Sequence, residues 1–162
     1  MESIQEKPLV LLITDFQGLI PQRIRDCEGY DLEGIKAVLE GVGVEVRIIG
    51  AHELDILAIR NREKVAALYA SSQKPRYKQY LQDIVANLLS CGVLLFPAFE
   101  HMLAHEDKAF QVIKLSTTDI RTPRSYVFGN RKQAYEFLQT ATFPLVGKSV
   151  DGFASCGVRL IN

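Results

Sequence analysis

Runs of apolar residues alternate with amphipathic stretches over the first hundred positions of the chain. Four short runs have the length and composition of buried strands. They are Pro8–Ile13, Val44–Ile49, Val65–Ala70 and Val93–Phe96. Apolar positions at helical spacing predict a helix from Asp31, as N-cap, to Gly41 and a longer one through Tyr77 and Leu89 that ends at Gly92. This alternation predicts a parallel sheet with right-handed crossovers.

The pattern changes after about Phe99, where we place a boundary between two domains, residues 1–99 and 100–162. In the second domain we expect two helices, Glu106–Leu115 and Lys132–Leu138. We also expect three short strands, Ser125–Phe128, Phe143–Lys148 and Gly157–Ile161. The last two flank a turn-rich loop and should pair antiparallel. The predicted fold class is therefore α/β, an open parallel sheet with flanking helices followed by a smaller α+β part.

Charge and composition exclude several function classes. The chain has 19 basic and 19 acidic residues among 162, so its balance points neither to nucleic acid nor to an anionic membrane surface. No apolar run approaches the roughly 20 residues that span a bilayer. Cys27, Cys91 and Cys156 are odd in number and lack CxxC spacing, which indicates a reducing cytoplasm rather than a disulfide framework. His101 and His105 lack the HExxH order, so we predict no metal site.

The stretch Phe143–Val158, FPLVGKSVDGFASCGV, has the chemistry of a phosphate site. Its apolar run ends in Lys148, and the loop that follows contains Gly152, Ser155 and Gly157. Glycines permit the positive φ angles with which consecutive N–H groups surround an anion, and the lysine adds positive charge at the mouth of the loop.

This segment resembles the glycine-rich loop of the ATP-grasp superfamily, commonly P-[VL]-[VI]-x-K-P-x-x-G-x-G-S-x-G-V. Upstream, His105–Pro123, HEDKAFQVIKLSTTDIRTP, resembles the helix that begins with Asp-Lys in that family and the turn that ends in Thr-Pro. The two matches occur in the order and at the separation that the family has.

The resemblance implies an amino-terminal part of a carboxylate–amine ligase. A Rossmann-like pre-ATP-grasp domain would precede a truncated first subdomain of the ATP-grasp domain. The implied cofactors are ATP and Mg²⁺, and the implied partners are the nucleotide, a small carboxylate and a second copy of the chain. The implied nucleotide contacts are Lys108, Lys148, Gly152, Ser155, Cys156 and Gly157. Family members hold their magnesium C-terminal to this loop, so we do not expect ligation by this chain alone.

Ligands of parallel sheets bind beyond the carboxyl ends of the strands. Four polar residues would lie there, namely Thr14, Asp15, Ser71 and Ser72. Arg23 and Arg25 follow the first strand within a long connection and would bind a carboxylate or a phosphate. Two alternatives remain open: a non-catalytic nucleotide-binding or interaction module, and an unrelated doubly wound domain whose site lies near Asp15.

Overall fold

A computed structural model describes residues 6–24, 27–72, 74–150 and 157–162. The chain divides into two compact units, Met1–Met102 and Leu103–Asn162. A short helix, Phe99–Ala104, contains the division between them.

The first unit alternates strands and helices. Its elements before that short helix are β1 (Leu9–Thr14), β2 (Pro21–Ile24), β3 (Cys27–Gly29), α1 (Leu32–Gly41), β4 (Glu45–Gly50), α2 (Ile56–Arg60), β5 (Val65–Leu68), α3 (Pro75–Ser90) and β6 (Leu94–Phe96). We label Phe99–Ala104 α4. The four predicted apolar runs are β1, β4, β5 and β6, each within two residues of the predicted bounds.

Local signals explain where the two long helices begin and end. The Asp31 carboxylate accepts a hydrogen bond from the Gly34 N–H at 3.0 Å, which satisfies an unpaired donor at the start of α1. Pro75 occupies the first turn of α3, where a missing N–H costs nothing. Gly43 and Gly92 follow the two helices with φ of +89° and +79°, a conformation that glycine adopts without strain.

The sheet of the first unit is parallel and has the strand order β4-β1-β5-β6. Its two faces are covered by different helices. On one face Leu9 and Leu11 belong to a core with Leu81, Val85 and Leu88 of α3. On the other face Leu12 and Val46 pack with Leu32, Ile35 and Leu39 of α1. Full burial of each such aliphatic side chain contributes roughly 1.5–3 kcal/mol, so β1, buried on both faces, anchors the unit.

The connection after β1 contains structure that the apolar pattern does not predict. Strands β2 and β3 form an antiparallel pair with an irregular register, in which Pro21 lies opposite Gly29. The hairpin is short and its residues do not alternate between apolar and polar, so periodicity gives no signal for it.

The second unit contains α5 (Lys108–Leu115), α6 (Arg131–Leu138), β7 (Leu145–Lys148) and β8 (Val158–Ile161). Strands β7 and β8 pair antiparallel, as predicted. The predicted strand Ser125–Phe128 was wrong, because this segment pairs with no described strand. Its aromatic side chains pack instead on α6, with the Tyr126 and Phe128 rings 4.4 and 5.2 Å from the ring of Phe137.

Candidate functional site

Strands β7 and β8 hold Lys148 at the end of a hairpin. Lys148 is the last residue of β7, lies opposite Val158 and is exposed. The Ser149 N–H donates to the Gly157 carbonyl at 3.3 Å, so the pairing continues one residue beyond the strands. The hairpin therefore fixes the backbone on both sides of the loop that follows Lys148.

Gly157 ends that loop in a conformation that favours glycine. Its φ is +76°, and a Cβ atom built on it would lie 2.6 Å from the Ser149 Oγ. The backbone angle disfavours an L side chain, and a Cβ atom would require the Ser149 hydroxyl to move. Gly157 thus has the positive φ that the sequence permits at this position.

Helix α5 begins at the other predicted lysine. The Asp107 carboxylate accepts a hydrogen bond from the Phe110 N–H at 2.8 Å, so Asp107 is the N-cap and Lys108 the first helical residue. The Lys108 N–H donates to the carbonyl of Val150 at 3.0 Å. This bond brings the start of α5 next to the end of β7, and Lys108 is half-buried there.

The other predicted contacts divide into two groups. Gly152, Ser155 and Cys156 lie outside the described residues, as does Arg25. Arg23 lies in β2 of the first unit, whereas Lys108, Lys148 and Gly157 lie in the second. Of the predicted site, the structure thus brings together the two lysine-bearing segments and the glycine that ends the loop.

A second cluster of polar groups lies at the carboxyl ends of β1 and β5. The chain leaves β1 for β4 on one side and later places β5 on the other side, which makes the gap between β1 and β5 a topological switch point. Asp15 directly follows β1, and its Oδ1 accepts hydrogen bonds from the N–H groups of Gln17 and Leu19 at 2.8 and 3.2 Å. That carboxylate oxygen organises the turn after β1.

Two buried hydroxyl groups follow β5. The Tyr69 Oη and the Ser71 Oγ are inaccessible and have no hydrogen-bond partner among the described residues. Burial raises the pKa of Tyr69 to about 12, because the phenolate would be desolvated. The Ser72 hydroxyl accepts from the Lys74 N–H at 3.1 Å and supports the approach to α3.

Aromatic rings lie beside the same strand ends. Phe16 packs edge-on against Tyr77 at 5.4 Å, and the Lys74 ammonium lies 4.2 Å from the centre of the Phe16 ring. The Tyr77 hydroxyl points to the Thr14 carbonyl at 3.5 Å. Desolvation, followed by the negative charges of Asp15 and ionised Tyr80, raises the pKa of Tyr77. No local sequence pattern indicates this cluster, because Phe16 and Tyr77 are distant in the chain.

A cleft of about 330 Å³ lies on the first unit beside α2. Its floor includes Leu9, Leu11 and Ile59, and its rim includes Arg47 and Arg62. Arg62 forms an ion pair of 2.8 Å with Glu45 and another of 2.9 Å with Glu6. The charges on this rim are therefore largely matched within the protein.

Neither a metal cluster nor a membrane helix occurs in the described part of the chain. Among these residues no three His, Cys, Asp or Glu side chains converge on one point. In the same residues no helix combines the length and the apolar character needed to cross a bilayer.

Comparison with known proteins identifies no family for this chain. No protein-family model matches the chain, and no curated protein is significantly similar to it.

Proposed function

We propose that the second unit binds the phosphates of ATP at the tip of the β7–β8 hairpin, as the amino-terminal part of an ATP-grasp ligase. Such an enzyme would join a carboxylate to an amine through an acylphosphate. The observation that supports this proposal is the hydrogen bond from the Lys108 N–H to the Val150 carbonyl. It holds the start of α5 next to the segment that follows Lys148. Two ammonium groups near one polyphosphate would offset the repulsion between its charges.

The remaining parts of the site have distinct roles in this proposal. The loop N–H groups of Ser155, Cys156 and Gly157 would orient the phosphate oxygens, and Gly152 would allow the loop to turn. When bound, Mg²⁺ would neutralise negative charge on the nucleotide, and the residues that would hold it are expected outside the described part of the chain. Arg23 and Arg25 would bind the small carboxylate substrate.

Binding of ATP to the whole chain tests the proposal. Titration of the ¹⁵N-labelled protein with a non-hydrolysable ATP analogue and Mg²⁺ should shift the amide resonances of Lys108, Ser149 and Gly157. We expect a dissociation constant on the order of 1 mM, because contacts on one side of the nucleotide are screened by water.

Replacement of one lysine provides the matched comparison. Lys148→Ala should weaken binding by about 1 kcal/mol, because an exposed and screened charge contact contributes little. Lys132→Ala is the control, since the side chain of Lys132 is 87% exposed on α6 of the same unit. Equal affinity of the Lys148→Ala variant and the parent would exclude the hairpin as the phosphate site.

One observation favours a second candidate, a ligand site near Asp15. The strand order places a switch point between β1 and β5, and the Ser71 hydroxyl there has no partner among the described residues. The same titration separates the candidates, because binding there would shift the amides of Asp15 and Ser71 and leave those of Ser149 and Gly157 unchanged. A non-catalytic nucleotide-binding module would also shift the amides of Lys108, Ser149 and Gly157. It would differ from a ligase in that a longer chain containing it would not turn over ATP.

A further inference from the structure

The two edges of the parallel sheet differ in chemistry. The strand at one edge, β4, carries the ion-paired residues Glu45 and Arg47. The strand at the other edge, β6, exposes 61% of Leu94 and 55% of Phe96. Charged residues protect sheet edges from pairing with other chains, and exposed apolar residues do the opposite. The β6 edge is therefore suited to contact another strand.

The backbone of β6 leaves one complete pairing position open. The Tyr69 N–H of the neighbouring segment donates to the Phe96 carbonyl at 3.0 Å, so the peptide groups of Phe96 face β5. Successive residues of a strand direct these groups to opposite sides, so Leu95 directs its N–H and carbonyl away from β5. Pro97, the next residue that faces outward, has no N–H to donate. The open edge is thus centred on Leu95.

We propose that β6 pairs antiparallel with β6 of a second copy of this chain, about a two-fold axis at Leu95. The two Leu95 residues would exchange a pair of backbone hydrogen bonds. In this register Leu94 of each copy lies opposite Phe96 of the other. The four side chains project from the same face of the joined sheet and cover one another. Such an interface is isologous, since each copy contributes the same residues.

The small size of this contact indicates a weak dimer. Four partly exposed side chains bury a few hundred Å², whereas stable interfaces bury roughly 1,200–2,000 Å². The dimer should therefore be weak, with a dissociation constant on the order of 100 μM.

Sedimentation of the whole chain over a concentration series reaching several hundred micromolar tests the proposal. The parent should pass from monomer to dimer, and the double variant Leu94→Lys, Phe96→Lys should remain a monomer. The matched control is Val38→Lys, Leu57→Lys, because these residues are 71% and 73% exposed at other places in the first unit. The control should dimerise as the parent does, and circular dichroism should show that both variants are folded.

Three outcomes would overturn the proposal. These are a parent that stays monomeric throughout, a β6 variant that dimerises like the parent, and a control that loses association to the same degree. The second of these would assign the association to another surface.

Cysteine cross-linking tests the register separately. Residues opposite each other in a pair without hydrogen bonds have Cα atoms about 4.5 Å apart, within the range of a disulfide. The double variant Leu94→Cys, Phe96→Cys should form a covalent dimer on oxidation, whereas Leu94→Cys alone should form no more than the parent with its three native cysteines. Equal cross-linking of the single and the double variant would contradict a two-fold axis at Leu95.

Discussion

Each of the two units is stabilised internally by a different kind of interaction. Every hydrophobic residue that is buried in the described part of the chain lies at or before Met102. In the second unit large apolar side chains such as Tyr135 and Leu160 remain 67% and 65% exposed. That unit depends on helix caps, a hairpin and aromatic contacts, each of which acts over a short distance.

The two units therefore differ in the size of the contributions that stabilise them. An N-cap or a short strand pair contributes about 1 kcal/mol, whereas a shared core sums many burials of roughly 1.5–3 kcal/mol each. We therefore expect the first unit to unfold cooperatively, and the second to open at a lower free energy.

Truncation of a core residue should give the largest effect. Leu88 is fully buried between α3 and the sheet, so Leu88→Ala should lower the free energy of unfolding of the first unit by about 2–5 kcal/mol. Leu160→Ala in β8 is the counterpart and should cost less than about 0.5 kcal/mol. Hydrogen exchange of the β1 and β7 amides during urea unfolding reports on each unit. Similar losses for the two variants would remove the distinction between the units.

Removal of the helix caps should give an intermediate effect. Asp31 and Asp107 cap α1 and α5 in the same way, and either change to Ala should cost about 1 kcal/mol. Because α1 packs on the core, Asp31→Ala should lower the cooperative stability of the whole first unit. No residue of α5 belongs to either hydrophobic core, so Asp107→Ala should increase exchange within α5 alone. Loss of protection throughout the second unit would show that it too unfolds cooperatively.

Protonation of Glu45 in the first unit should give the smallest effect. Hydrogen bonds from Arg62 and then Arg47 lower the pKa of Glu45 below its ordinary value of 4.5. The stabilisation is thus complete above pH 4.5 and is lost as the pH falls through the lowered pKa. Since Glu45 is partly exposed, the contribution should not exceed about 1 kcal/mol.

Chemical denaturation at pH 7 and at pH 3 measures this contribution. The parent should lose more stability between the two pH values than Glu45→Gln does. Glu40→Gln, a change at an exposed glutamate of α1, should behave like the parent. A pH dependence that is the same in all three proteins would show that the ion pair with Arg62 contributes nothing.

The sequence is informative where a residue's own chemistry determines its conformation. The continuous apolar run of β1 and the cap at Asp31 gave correct elements because burial and capping depend on residue type. The segment Ser125–Phe128 has the composition of a strand, yet a strand also needs a partner, and Phe137 provides aromatic contacts instead. Pairing partners depend on distant parts of the chain, which periodicity cannot show.

The sequence predicts some features of the candidate site and not others. The positions of Lys108 and Lys148 at the ends of their elements follow from capping and from the apolar run. The bond between Lys108 and Val150 involves backbone atoms only, so no side-chain pattern indicates it.

The conformation of Gly157 limits which residues related sequences can have at this position. Its positive φ disfavours an L side chain, and a Cβ atom there would require the Ser149 hydroxyl to move. A homologue with a larger residue at this position should therefore differ at Ser149 or in the backbone where the loop ends, whatever it retains at the two lysines. This one position is thus a test of whether a related chain keeps the same end of the loop.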